Sequence, residues 1–128
     1  MTKRILVIDD EEAIRELACA CLEDLAGWEA VAAAGGHEGL LVAQSTALDA
    51  ILLDVSMPNM DGVTCYQQLK EYPTTQAIPV ILLTAKVLPD DQARFAEMAI
   101  AGVITKPFKP TLICAQIAEL LNWDFNAS

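Results

Sequence analysis

The sequence predicts an α/β fold, a parallel sheet with helices on both faces, and three observations lead to it. Short continuous apolar runs rich in β-branched residues recur along the chain, and such runs mark strands covered on both sides. Between them, apolar residues return at three- and four-residue steps, the spacing of one helix face. The order is strand then helix, repeated five times, and right-handed crossovers of that order distribute the helices over both faces of a single sheet. The chain has 128 residues and no Gly/Ser-rich linker, charge block, low-complexity tract or internal repeat. Residues 1–128 are therefore read as one domain.

Each element has its own local signal. Ile5-Leu6-Val7-Ile8 is the first strand. Ile14, Leu17, Ala18, Cys21, Leu22 and Leu25 then form a helical stripe, with Gly27 as its stop. Residues 28–33 give a weaker strand, interrupted by Glu29, and residues 37–45 a weaker helix. Ala50-Ile51-Leu52-Leu53 is the third strand, followed by a weak helical pattern over residues 62–71. Val80-Ile81-Leu82-Leu83 is the fourth. Pro89-Asp90-Asp91 suits the first turn of the next helix, where acids oppose the helix dipole, with Phe95, Met98 and Ala99 on one side and Gly102 after it. Val103-Ile104-Thr105 is the fifth strand. The last helix has Pro110 near its start and the stripe Ile113, Ile117, Leu120 and Leu121.

Composition excludes several function classes. At 54% hydrophobic and 20% charged, the chain can bury a core and is not a disordered tail. Its longest stretch without Asp, Glu, Lys or Arg, residues 72–85, is shorter than a bilayer span and contains Pro73 and Pro79. Near the amino end Lys3 and Arg4 precede only four apolar residues before Asp9-Asp10-Glu11-Glu12, too few for a secretory signal, so a cytoplasmic location is expected. A formal net charge of −10 disfavours direct contact with nucleic acid or an anionic membrane. Cys19, Cys21, Cys65 and Cys114 lack zinc-pair spacing and are read as reduced and structural, with Cys19 and Cys21 on different helix faces. The lone histidine, His37, is read as a surface residue, and Trp28 and Trp123 as packing residues.

In open α/β sheets the ligand site lies beyond the carboxyl ends of the strands. The first strand ends in Asp9-Asp10, the third in Asp54, the fourth in Thr84 and the fifth in Lys106. Asp9, Asp10 and Asp54 side by side repel one another unless a cation neutralises them. Magnesium suits such a site because it keeps several waters and takes a phosphoryl oxygen as a further ligand. Lys106 is expected to pair with Asp54 or a group attached to it, and the Thr84 hydroxyl can donate to an anionic oxygen near the metal. A carboxylate so surrounded is equipped to attack a phosphoryl group, with Asp54 becoming an acyl phosphate.

These residues and their neighbours resemble the receiver domain of two-component response regulators. The matching pieces are Ile5-Leu6-Val7-Ile8-Asp9-Asp10-Glu11, Leu52-Leu53-Asp54-Val55-Ser56-Met57-Pro58-Asn59-Met60-Asp61-Gly62, Ile78-Pro79-Val80-Ile81-Leu82-Leu83-Thr84-Ala85, and Ala101-Gly102 with Lys106-Pro107-Phe108. The resemblance implies a single-domain, doubly wound (βα)5, flavodoxin-like sheet with strand order 2-1-3-4-5 and no output domain in this chain. It implies that Asp54 accepts phosphate from a histidine kinase or a histidine phosphotransfer protein in a phosphorelay. Asp9, Asp10, Asp54 and the backbone carbonyl of Ser56 would hold Mg²⁺, with Mn²⁺ as an alternative ion. Thr84 would bind the phosphoryl oxygen, Lys106 would pair with the phosphate, and Lys106-Pro107 would be cis.

The resemblance also implies that the fourth helix, fifth strand and fifth helix form the face for a downstream protein or a dimer. Val103, Ser56, Ala85 and Lys86 fall at switch or modulating positions. Val103 departs from the family, which usually carries Tyr or Phe there, so the usual aromatic readout is in question. The domain would be a phosphoacceptor that assists its own modification and slow dephosphorylation, not an enzyme acting on an independent substrate.

Three rivals are weaker. A nucleotide or flavin-phosphate binder needs an N–H-donating Gly/Ser/Thr-rich first loop, and Asp9-Asp10-Glu11-Glu12 would repel the anion. A phosphohydrolase resembling the haloacid dehalogenase family needs an Asp two residues after the nucleophile, where Ser56 stands. A receiver-like interaction module working without phosphorylation is opposed by the acidic pair, Thr84 and Lys106, and is left open by Val103.

Overall fold

The computed structural model describes residues 2–55, 62–85 and 89–125. Its elements are β1 (Arg4–Ile8), α1 (Glu12–Ala26), β2 (Glu29–Ala33), α2 (Gly36–Ser45), β3 (Ala50–Asp54), α3 (Gly62–Glu71), β4 (Val80–Thr84), α4 (Pro89–Ala96), β5 (Gly102–Thr105) and α5 (Ile113–Leu121). All strand pairs are parallel, in the order β2-β1-β3-β4-β5, as expected.

The central strands β1, β3 and β4 are apolar up to their ends because the sheet is covered on both faces there. Alternate side chains point to opposite faces. Ile5, Val7, Leu52, Ile81, Leu83 and Ile104 pack with Leu22 of α1 and Ile113 and Ile117 of α5. Leu6, Ile8, Ile51, Leu53 and Leu82 pack with Leu40 of α2, Leu69 of α3 and Phe95 of α4. Register then aligns the carboxyl ends of the strands. Ile8 lies opposite Leu53, Asp54 opposite Leu83, and Thr84 opposite Thr105.

Helix α1 stops as its sequence signal requires. Gly27 takes φ 70°, where a side chain would be strained, and its N–H donates to Glu23 O at 3.1 Å while the Trp28 N–H donates to Leu22 O at 3.0 Å. Trp28 lies just before β2, its ring 5.4 Å from that of Trp123 in an edge-on contact and 5.6 Å from Phe125. Both tryptophans are packing residues, and they tie the segment after α5 to the β2 edge. Lys3 adds a cation–π contact at 4.8 Å from the Trp123 ring.

The structure changes some local expectations. Leu17 and Leu25 lie on the α1 stripe but are exposed, since the stripe is wider than the surface that α5 and the sheet cover. Met98 and Ala99 fall outside α4, which ends at Ala96. The chain tightens there, with Glu97 N–H donating to Arg94 O and Met98 N–H to Phe95 O, and the Ala99 N–H donates to the Tyr66 hydroxyl at 2.7 Å instead of continuing the helix. Gly102 opens β5, and Pro110 sits in a turn before α5. His37 is exposed, and among the described residues no helix is long and apolar enough to cross a membrane.

All four cysteines are free, with Cys21, Cys65 and Cys114 buried. Burial pushes the Cys65 thiol from 9.0 up to about 12, and burial with the neighbouring Cys21 pushes Cys114 up to about 11.

Two predictions follow from this packing. Replacing Trp28 with Ala removes the aromatic cluster's centre and is expected to cost about 3–5 kcal/mol in urea unfolding, against no measurable change for Leu41→Ala, an exposed position. The second concerns alkaline pH. Above pH 9 the unfolded thiols lose protons before the folded ones, so the unfolded state binds fewer protons and stability falls as pH rises toward 12. Urea midpoints at pH 8 and pH 10.5 should show a smaller loss for Cys65→Ala than for the parent chain.

Candidate functional site

Parallel strands place their carboxyl ends on one edge, and that edge collects the acids. Asp9 follows β1 directly and is fully buried, and its N–H donates to Ala33 O at 3.2 Å. Its Oδ1 accepts the Glu11 N–H at 2.9 Å, the short side-chain-to-backbone bond that turns the chain from strand into helix. The Arg15 guanidinium donates to the Asp9 carbonyl at 2.8 Å, which fixes the same turn from α1. Asp54 is the last residue of β3 and is 2% exposed, Thr84 ends β4 and is buried, and Asp10 is exposed beside them.

Lys106 brings the edge together. Its N–H donates to Thr84 O at 2.8 Å, and its ammonium lies 2.9 Å from Asp9 Oδ2, 3.2 Å from Glu11 Oε1 and 3.4 Å from Asp54 Oδ1. Burial alone would lower the lysine pKa. The close approach of Asp9 and the charges of Asp54 and Asp9, with a hydrogen bond to Glu11, raise it above its usual value instead. Lys106 is therefore a fixed cation at neutral pH. The Lys106-Pro107 peptide is cis, as expected.

One ammonium does not balance these acids. Carboxylate oxygens of Asp9, Asp10 and Asp54 can lie within 4.8 Å of one another, and Asp9 Oδ2, although ion-paired, receives no well-directed hydrogen bond. A buried carboxylate oxygen in that condition fits a cation. The donor set is all oxygen, which suits a hard divalent ion such as Mg²⁺.

The structure thus brings together Asp9, Asp10, Asp54, Thr84 and Lys106. Ser56, with its carbonyl, and Lys86 lie outside the described residues. Ala85 is exposed just past Thr84. Val103 does not reach the acidic edge: it is 39% exposed on β5, at the rim of a groove of about 480 Å³ bordered by Phe95, Met98 and Ile100.

Glu11, Arg15 and Gly62 also shape the edge, through contacts that no local sequence signal assigns. Glu11 stands at the amino end of α1, where its side chain makes no capping bond and turns to Lys106. Arg15, four residues on, holds the Asp9 carbonyl. Gly62 opens α3 so close to the end of β3 that a Cβ would stand 2.5 Å from Asp54 O and from Val55 Cα. The Asp9 and Glu11 spacing of two residues was a readable turn signal; the partners across the fold were not.

The chain is similar in sequence and fold to known proteins. The family description "Response regulator receiver domain" matches residues 5–118. The chain is 36% identical over 121 residues to the alkaline phosphatase synthesis transcriptional regulatory protein PhoP of Bacillus subtilis, covering 94% of this chain and 49% of that protein. It is 38% identical over 121 residues to the response regulator PleD of Caulobacter vibrioides, covering 94% of this chain and 26% of that protein. The chain thus spans about half or less of the length of these curated relatives. Among solved structures, the chemotaxis protein CheY4 of Vibrio cholerae superposes with a TM-score of 0.87 at 28% identity, covering 94% of this chain and 99% of that one. A matched family description over nearly the whole chain, together with an acidic strand edge that fits a magnesium ion, means that this chain belongs to the response regulator receiver domains, the phosphoryl-accepting modules of two-component signalling.

Proposed function

We propose that Asp54 is the phosphoacceptor and that it takes its phosphoryl group from a phosphohistidine on a sensor kinase or a histidine phosphotransfer protein. The observation that carries this reading is the position of the Lys106 ammonium, 3.4 Å from Asp54 Oδ1 and 2.9 Å from Asp9 Oδ2, at a buried acidic edge. An Asp54 oxygen attacks phosphorus, an O–P bond forms, and the P–N bond breaks. The electron pair stays on the imidazole, which then takes up a proton. Lys106 offsets charge on the phosphoryl oxygens, and Thr84, at the end of the neighbouring strand, donates its hydroxyl to one of them.

Asp9, Asp10 and Asp54, with the Ser56 carbonyl, would hold the metal. When bound, Mg²⁺ or Mn²⁺ supplies the positive charge that the carboxylates and the phosphoryl oxygens both require. Arg15 and the Glu11 N–H keep Asp9 in place for this role. Ser56, Ala85 and Lys86 modulate the lifetime of the acyl phosphate.

On this reading residues 1–128 act as a receiver whose output passes through contacts in the cytoplasm. Its relatives include transcriptional regulatory proteins, yet the net charge of −10 makes this domain a poor direct ligand for DNA. The downstream protein, or a second copy, docks on the face of α4, β5 and α5. Val103 alters that readout, because it lacks a ring to exchange between inward and outward positions. The domain is a substrate that assists its own modification, not an enzyme acting on an independent molecule.

Incubation with acetyl phosphate and Mg²⁺ is expected to add one phosphoryl group by intact-mass measurement. The increment should vanish in Asp54→Ala and after EDTA treatment. An increment that persists in Asp54→Ala would contradict the assignment. No increment in the parent chain, even with a histidine kinase supplied, would favour an interaction module that works without phosphorylation, the reading that Val103 leaves open.

A further inference from the structure

Lys106 carries a third carboxylate contact that the phosphoryl chemistry does not require. Its ammonium has three N–H donors and three acidic neighbours, Asp9 Oδ2 at 2.9 Å, Glu11 Oε1 at 3.2 Å and Asp54 Oδ1 at 3.4 Å. The three are not equivalent. Asp9 and Asp54 are buried and fixed by their strands, whereas the Glu11 side chain is 61% exposed and can return to water at little cost. Glu11 is also free of the duty its position suggests, since it stands at the amino end of α1 without capping the helix through its side chain. The bond from the Glu11 N–H to Asp9 Oδ1 fixes the backbone of Glu11 beside the same pocket, so the contact is built into the turn.

We propose that Glu11 is a positioning residue that competes with the incoming phosphoryl group for the Lys106 ammonium, and so restrains phosphorylation of Asp54. The inference rests on the phosphoacceptor reading given above. The Lys106 ammonium donates a hydrogen bond to Glu11 Oε1 at 3.2 Å, so a phosphoryl oxygen that takes that donor displaces Glu11. The solvated Glu11 is the neighbour that gives way, and its negative charge also repels the arriving anion.

The test compares rates of phosphorylation by acetyl phosphate at saturating Mg²⁺ for the parent chain, Glu11→Gln, Glu11→Asp and Glu12→Gln. Glu12 is exposed in the first turn of α1, so Glu12→Gln removes the same charge one residue away. Glu11→Gln should raise the rate about two- to five-fold, the range set by a partly exposed ion pair, and Glu12→Gln should leave it near the parent value. Glu11→Asp, which keeps the charge, should fall between them. Calorimetric Mg²⁺ affinity should stay the same in Glu11→Gln. Equal rates for Glu11→Gln and Glu12→Gln would overturn the proposal, as would a slower Glu11→Gln with weakened Mg²⁺ binding, the mark of a group that supports the metal. A parent chain that takes no phosphoryl group would remove the phosphoacceptor reading and this inference together; an increment with no Glu11 effect removes this inference alone.

Discussion

The Lys106 ammonium lies within 3.4 Å of three carboxylates, two of them on buried residues, and most of the chemistry proposed for this domain follows from that concentration of charge. Buried carboxylates are tolerated when they are paired, and taking away one partner of such a pair typically costs about 3–5 kcal/mol. Lys106 meets part of the demand and is itself held in its charged form by the acids around it. Asp10 adds another negative group at the mouth. The edge therefore retains an excess of negative charge that favours a divalent cation and, once that is bound, an anionic phosphoryl group.

The fold exists to make that concentration possible. A parallel sheet covered on both faces buries its central strands β3 and β4 throughout, and residues immediately past the apolar runs emerge together at one edge. Asp9, Asp54, Thr84 and Lys106 come from four different strand ends, yet the register and the bond from Lys106 N–H to Thr84 O bring them together. Gly62 contributes by having no side chain, because α3 could not otherwise approach the backbone of Asp54 so closely. Away from the edge, Val103 borders an open groove beside α4.

Much of this was legible in the sequence because continuous apolar runs and strand-ending polar residues are local signals. Ile5-Leu6-Val7-Ile8 followed by Asp9, and Val80-Ile81-Leu82-Leu83 followed by Thr84, announce both the strand and the residue at its exposed end. The end of α4 was not legible. The Ala99 N–H is taken by Tyr66, 33 residues earlier, and no helical periodicity contains that bond. The partial exposure of Leu17 and Leu25 likewise depends on how much of α1 its neighbours cover. Glu11 shows the same limit at the site: its acidity and its place in the motif were visible, but its pairing with a lysine 95 residues away required the folded chain.

The central claim is that the carboxylates at this edge form a divalent-cation site, and calorimetric titration with Mg²⁺ tests it most directly. The parent chain should bind one Mg²⁺, and both Asp10→Asn, at an exposed position that leaves the core untouched, and Asp54→Asn should weaken binding by about tenfold or more. Binding that is absent from the parent chain, or unchanged in both variants, would contradict the account.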